Sequence, residues 1–223
     1  QMTASHPTRT TVWTEPLGYE AENNGKLDLS NATKSTAMYL DSSRGINKGE
    51  IIVGNSSTGI YGIYDKDISV YSVAPAETVN TGTITTTAGS KIKIGNESSA
   101  IYSIGFDKVE NKGIITGGEK SVGIYSTSDS DVEINDGKLH VKDQGVGIYK
   151  ENGKVLFKGE LEVANHTAKD DTKPVGVYAV NGTEIEDKAK SITIGEKSYG
   201  FVLDNKDSNK TNKYTNTNTG TVT

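Results

Sequence analysis

A short phrase returns along the chain at a nearly fixed interval and limits what the chain can fold into. It reads Gly59-Ile60-Tyr61, Ala100-Ile101-Tyr102, Gly123-Ile124-Tyr125, Gly147-Ile148-Tyr149 and Gly176-Val177-Tyr178, with looser copies at Ala37-Met38-Tyr39 and Gly200-Phe201-Val202. Repetition of this kind marks one structural unit stacked on itself, not a core assembled from unlike elements.

A second phrase, Gly-x-(Ile/Leu/Val), alternates with the first and usually has Asn shortly before its Gly. Its copies are Gly25/Leu27, Gly49/Ile51, Gly82/Ile84, Gly113/Ile115, Gly137/Leu139, Gly159/Leu161 and Gly220/Val222, and Lys190/Ile192 fits with the Gly replaced. From this Gly to the next aromatic phrase is 12 residues in four units, and the return takes 10 to 12 in most, so the basic unit is 22 to 24 residues. Both halves alternate apolar and polar residues with period two, as in Lys138-Leu139-His140-Val141-Lys142 and Ser191-Ile192-Thr193-Ile194-Gly195. That is a strand pattern, and no helical apolar stripe competes with it. Asn24-Gly25, Asp136-Gly137, Asn152-Gly153 and Asn181-Gly182 supply the turns between strands.

The expected fold is therefore all-β, a right-handed parallel β-helix with two or three short strands per coil and backbone hydrogen bonds running along the rod. Only 33% of the 223 residues are hydrophobic and 7% aromatic, which is thin for a two-layer globular core. A solenoid needs less, because each coil contributes one inward row that its neighbours cover. The stretch Asn205–Asn218, nearly all Asn, Thr, Lys and Ser, is also compatible with disorder. Leu17-Gly18-Tyr19 resembles the aromatic phrase and Gly220-Thr221-Val222-Thr223 stops partway into a unit. The expectation is thus that 1–223 is one segment of a β-helix, cut at both ends.

The alternation of Asn-x-Gly-x-Ile with Gly-Ile-Tyr resembles the passenger domains of the large fusobacterial outer-membrane autotransporters, the RadD-type adhesins. That resemblance implies a monomeric rod on the bacterial cell surface, anchored through a C-terminal membrane barrel not present in this sequence, or else secreted. It implies coaggregation or attachment to host cells, through a protein or glycan on the partner surface. It transfers no binding motif residue by residue, so the binding residues stay unknown.

Recognition is expected where the spacing breaks, because extra residues in a solenoid loop out from the rod. Four intervals are long: 62–81, 83–99, 160–177 and 203–219. Within them, 64–78 carries Tyr64, Tyr71 and Pro75, and 164–174 carries His166, Lys169, Asp170, Asp171 and Lys173. The tyrosines raise a separate possibility. If Ile148 points inward, Gly147 and Tyr149 point outward, and Tyr102, Tyr125, Tyr149 and Tyr178 form a column. The Gly or Ala two residues earlier would then let each ring lie over bare backbone. Such a column is either a structural ladder or a strip that stacks on sugar rings.

No enzyme is expected. β-Helical lyases and glycosidases need clustered carboxylates, whereas Asp65/Asp67, Asp129/Asp131, Glu133 and Glu184/Glu186 are scattered, and Ser128-Asp129-Ser130-Asp131 reads as a solvated turn. His6, His140 and His166 lack metal-ligand spacing, and His140 fits an outward strand position. No calcium-binding repeat, phosphate loop or nucleophile elbow is present, so no cofactor or metal is expected. A net charge of −5 without a basic run argues against nucleic acid. The Asn-x-Ser/Thr triplets at Asn55 and Asn165 arise easily in this composition and carry no inference about glycosylation. Three functions remain open: an adhesive segment, a passive stalk that displays a distal tip, and a glycan-processing enzyme.

Overall fold

The computed structural model describes residues 20–64, 82–218 and 220–222. Within these residues the chain is a parallel β-helix built from three sheets, without a helix. Sheet A stacks β1 (Glu20–Asn23), β4 (Arg44–Asn47), β7 (Thr83–Thr86), β10 (Lys108–Asn111), β13 (Asp131–Ile134), β16 (Lys154–Phe157), β19 (Glu184–Asp187) and β22 (Lys213–Asn216). Sheet B stacks β2 (Lys26–Leu29), β5 (Glu50–Val53), β8 (Lys91–Ile94), β11 (Ile114–Thr116), β14 (Lys138–Val141), β17 (Glu160–Val163), β20 (Ser191–Ile194) and β23 (Thr221–Val222). Sheet C stacks β3 (Thr36–Asp41), β6 (Thr58–Ile63), β9 (Ser99–Ile104), β12 (Val122–Thr127), β15 (Val146–Glu151), β18 (Val175–Val180) and β21 (Tyr199–Asp204). Each coil thus has three strands, and every pairing is parallel to the same strand of the next coil. Glu20 lies opposite Arg44, Lys108 opposite Asp131 and Lys138 opposite Glu160. These registers give the coil length that the two phrases define.

Columns of branched side chains fill the interior. Ile51, Ile92, Ile115, Leu139, Leu161 and Ile192 line sheet B, while Ile60, Ile101, Ile124, Ile148 and Val177 line sheet C. Each fully buried side chain of this size is worth about 1.5–3 kcal/mol, and the parallel register puts like on like. Sheet A is different at its last inward position. Asn23 donates to Asn47 Oδ1 at 2.8 Å, and Thr86 bonds Asn111, all of them buried. Asn111 also closes the next corner, accepting from Gly113 N at 3.3 Å and donating to Gly113 O at 3.2 Å. At Asn23, Asn47 and Asn111 the Asn that precedes Gly in the second phrase is therefore an internal ladder that satisfies buried and half-buried corner backbone.

Of the four long intervals, one is an ordinary coil. The expected insertion at 83–99 is regular structure: β7, a turn, and β8. Gly82 precedes sheet A instead of sheet B, and the residue standing where the second phrase has Gly is Ser90. The corner there is widened to Thr87-Ala88-Gly89-Ser90, with Gly89 at φ 84°. The interval 62–81 lies mostly outside the described residues, as do Leu17-Gly18-Tyr19, Tyr71, Pro75, Asp65/Asp67 and His6. In 160–177 a true loop, 164–174, leaves the rod between β17 and β18. In 203–219 the loop is only 205–212, because Lys213–Asn216 form β22 and pair with β19. The composition of 205–218 is thus compatible with order once a neighbouring strand supplies the pairing.

Candidate functional site

The lateral face of sheet C carries the tyrosine column, which is longer than the four rings expected. Tyr39, Tyr61, Tyr102, Tyr125, Tyr149 and Tyr178 stack in succession with centroids 5.6, 5.0, 4.6, 4.9 and 5.8 Å apart and planes within 8° of parallel. The spacing follows from the separation of paired strands, so the register that aligns the strands also stacks the rings. Both faces of Tyr61, Tyr102, Tyr125 and Tyr149 are covered by neighbouring rings. A sugar stacks on a ring face, and these four rings offer only edges and hydroxyls. Burial raises the Tyr125 and Tyr149 hydroxyls above the usual phenol range, and a hydrogen bond to Asp204 Oδ2 at 2.6 Å raises Tyr178 to about 12.

The small residue before each Ile does not serve the ring. Gly59, Ala100, Gly123, Gly147 and Gly176 are buried next to the buried Ile, Ile or Val, so two consecutive residues face inward at this corner. A Cβ on Gly123 would lie 2.5 Å from Gly147 O, and one on Gly176 would lie 2.5 Å from Gly200 O. The requirement for a small residue comes from the backbone of the next coil, not from the tyrosine.

Replacing Tyr149 with Ala removes two stacked contacts, each worth about 0.5–1.5 kcal/mol, together with the apolar area they cover. The expected loss is about 2–4 kcal/mol in urea unfolding, with a smaller loss for Tyr149→Phe, which keeps the stack. A wild-type stability for Tyr149→Ala would remove the ladder's structural role.

The loop 164–174 is anchored by a residue that the sequence did not single out. Asp143, in the turn after β14, accepts from Thr167 N at 2.7 Å, Thr167 Oγ1 at 2.9 Å and Ala168 N at 2.9 Å, and lies 2.9 Å from His166 Nδ1. Burial works to raise its pKa, yet these donors together hold the carboxyl well below the ordinary carboxylate range. Asp143 sits 23 residues before His166, one coil away, and that period was its only signal in the sequence. Of the other residues singled out in this loop, Asp170 turns back to meet His166 and Gln144, whereas Lys169 and Asp171 are exposed and Lys173 lies over the Tyr199 ring, 5.4 Å from its centroid.

Of the scattered carboxylates, Glu133 and Glu186 are drawn into ion pairs, as is Glu160 elsewhere on the rod. Glu133 meets Lys108 at 2.8 Å, Glu186 meets Lys154 at 3.1 Å and Lys188 at 3.2 Å, and Glu160 meets Lys138 at 2.6 Å. Asp131 begins β13, so only Ser128–Ser130 form the turn. His140 faces outward on β14, with Nδ1 2.8 Å from Glu162 Oε2. Among the described residues no group of three or more His, Cys, Asp or Glu could hold a metal ion.

A lysine is buried where sheet C turns into sheet A. Lys150 occupies the inward column of Leu40, Gly62, Ser103, Ser126 and Ala179 and is 0% exposed. Its ammonium donates to Ser128 O at 2.7 Å, Ser130 Oγ at 3.0 Å and Glu151 O at 3.5 Å. Desolvation lowers its pKa to about 8, and the nearby charges of Asp131, Asp129 and Glu151 oppose that only in part.

A second buried column runs where sheet B turns into sheet C. Ser57, Ser98 and Ser121 follow one another at this corner, with Ser35 N donating to Ser57 Oγ at 3.1 Å, Ser57 N to Ser98 Oγ at 3.0 Å and Ser98 N to Ser121 Oγ at 3.2 Å. Each serine stands two residues before the small residue of an aromatic phrase.

The fold and these sites together define a rod of the parallel β-helix class. The chain matches no protein-family model, no curated protein and no solved structure in comparison with each.

Proposed function

We propose that this chain is an adhesive β-helical segment of a bacterial surface protein, which attaches to a protein or glycan on host cells or partner bacteria. The observation that carries the proposal is the loop 164–174. It leaves an otherwise regular coil between β17 and β18, yet it is folded back onto Asp143 by four contacts. A tolerated insertion needs no such anchoring, whereas a binding loop gains affinity when its ordering cost is met before the partner arrives. Anchoring through an outer-membrane barrel and display at the cell surface belong to the same proposal and rest on the resemblance of the repeats. A passive stalk is the second reading, favoured by the stacked tyrosines and cross-coil ion pairs that stiffen the rod along its length.

The purified chain is to be screened for binding to bacterial and host cells beside a variant whose residues 165–173 are replaced by a two-residue turn. The expected result is binding by the wild type and its loss in the shortened variant, with the β-sheet circular dichroism and melting transition retained. Equal binding by the two would move the binding face away from the loop. Binding to no surface at all would favour the stalk.

A further inference from the structure

The ring of His166 touches a hydrogen-bond acceptor at each nitrogen. Nδ1 lies 2.9 Å from Asp143 Oδ1, and Nε2 lies 2.7 Å from the carbonyl oxygen of Asp170. A carboxylate held in its charged form and a peptide carbonyl can only accept, so both ring nitrogens must carry protons for both contacts to exist. The side chains of His166 and Asp143 are 7% and 12% exposed, so the Nδ1 contact is partly buried, whereas the Nε2 contact lies at the surface, where Asp170 is exposed.

We infer that loop 164–174 is a proton-dependent strap: protonated His166 helps tie its far half to the rod, and loss of that proton loosens residues 169–173, which keep the Gln144–Asp170 and Lys173–Tyr199 contacts, while 166–168 stay attached. Neutral imidazole keeps one N–H. The carboxylate of Asp143 is the stronger acceptor, so Nδ1 retains the proton and Nε2 turns a lone pair on Asp170 O at hydrogen-bond distance. That contact becomes repulsive. Thr167 N, Thr167 Oγ1 and Ala168 N do not depend on the imidazole and remain on Asp143 Oδ2. The boundary between the fixed and loosened parts therefore falls after Ala168.

The surroundings set how far the far half can move, because Gln144 on Asp170 and Lys173 over the Tyr199 ring do not depend on the imidazole. Asp143, on the turn after β14, faces Nδ1. On the loop itself, the Asp170 side chain receives Gln144 Nε2 at 2.5 Å and Thr172 N at 3.0 Å, and Lys120, two coils back between β11 and β12, lies within electrostatic reach of it. Of the flanking strands, β14 and β17 present His140 and Glu162, which bond each other. From the following coil, Glu196 contributes its backbone carbonyl to His166 N at 2.9 Å. The hydrogen bond to Asp143 is the largest influence on His166, and with Asp170 it outweighs burial, so its pKa is raised above the ordinary 6.5. A raised value in the folded state means that the attachment is complete below the ordinary histidine value and is lost as pH rises through the raised one. The inference holds whether or not the loop meets a receptor.

The test is NMR on the isotopically labelled full chain between pH 5 and 9, with amide exchange corrected for its intrinsic pH dependence. His166 is expected to show both ring nitrogens protonated at acid pH and a titration midpoint above 6.5. Across that midpoint residues 169–173 should lose protection and order, while Thr167 and Ala168 amides keep theirs. In His166→Gln, which has no titrating ring, 169–173 should behave alike at both ends of the range. A His166 midpoint at or below 6.5, or residues 169–173 that are indifferent to its titration, would overturn the inference.

Discussion

Lys150→Met makes the protein more stable at neutral pH and flattens its stability between pH 8 and pH 10. The wild-type ammonium is buried among Ser128 O, Ser130 Oγ and Glu151 O, without a carboxylate in contact among the described residues, and desolvation lowers its pKa from 10.5 to about 8. Each unit is worth about 1.4 kcal/mol, so carrying the charge into the coil costs about 3 kcal/mol below pH 8. Between pH 8 and 10.5 the unfolded chain binds the proton more tightly than the folded one, so wild-type stability rises with pH there. The tyrosines act in the opposite sense. Tyr178 and Tyr214, raised to about 12 by their bonds to Asp204 and Asp187 and by burial, keep their protons after the unfolded chain has lost them. Stability therefore falls above about pH 10, the ordinary phenol value. Wild type should show a stability maximum near pH 10, and Lys150→Met should lack the rise that leads to it.

The net gain at pH 7 is smaller than the desolvation cost. Methionine leaves Ser128 O without the ammonium, a loss of about 1–3 kcal/mol for a buried acceptor, whereas Ser130 Oγ keeps its contact with Ser126 Oγ at 3.0 Å. A gain of about 1–2 kcal/mol in urea unfolding at pH 7 is expected. A pH profile shared by wild type and variant would show that Lys150 pays no desolvation cost in the coil.

Lys150 also shows where sequence legibility ended. The register was visible because the same residue types return at the same inward positions: Ile or Leu on sheet B, Ile or Val on sheet C, Tyr outside. Alternation from Ile148 places Lys150 inward, level with Ser126 and Ala179, but a lysine has no counterpart in that column, so no recurring residue type marks the position. Asp143 was hidden because its partner is one coil away. The second phrase falls one strand early at Gly82, because a widened corner lets Ser90 stand where glycine usually does in the same coil. Sheet A was the least legible layer. Its inner face mixes Asn47, Thr86, Asn111, Ile134 and Phe157 at one level, where hydrogen bonding and apolar packing replace each other from coil to coil. The two orderly columns made the fold readable, while the candidate loop was visible only as extra length.

Gly147→Val is expected to destabilise the rod by about 3 kcal/mol or more, and Gly147→Ala by about 1–3 kcal/mol, because both force atoms into a filled interior. A Cβ at Gly147 would collide with Gly176 O and lie 2.9 Å from Val141 Cγ2. The backbone carbonyl cannot rotate away without parting the paired strands β15 and β18, so the cost is spread over the sheet. Ala100 occupies the same column, which shows that one methyl is accommodated where the local backbone adjusts, and this sets the order Ala before Val. Gly25→Ala is the control, since a Cβ there meets nothing within 4 Å, and it should leave the melting transition unchanged. A double-mutant cycle with Tyr149→Ala then separates two reasons for glycine. If glycine were needed to seat the tyrosine ring, removing the ring would relieve most of the cost of Gly147→Val. With the next coil's backbone as the obstacle, the two losses add to within about 0.5 kcal/mol, the tolerance for independent effects. Strong positive coupling between the two positions would return the glycine to the service of the aromatic ladder.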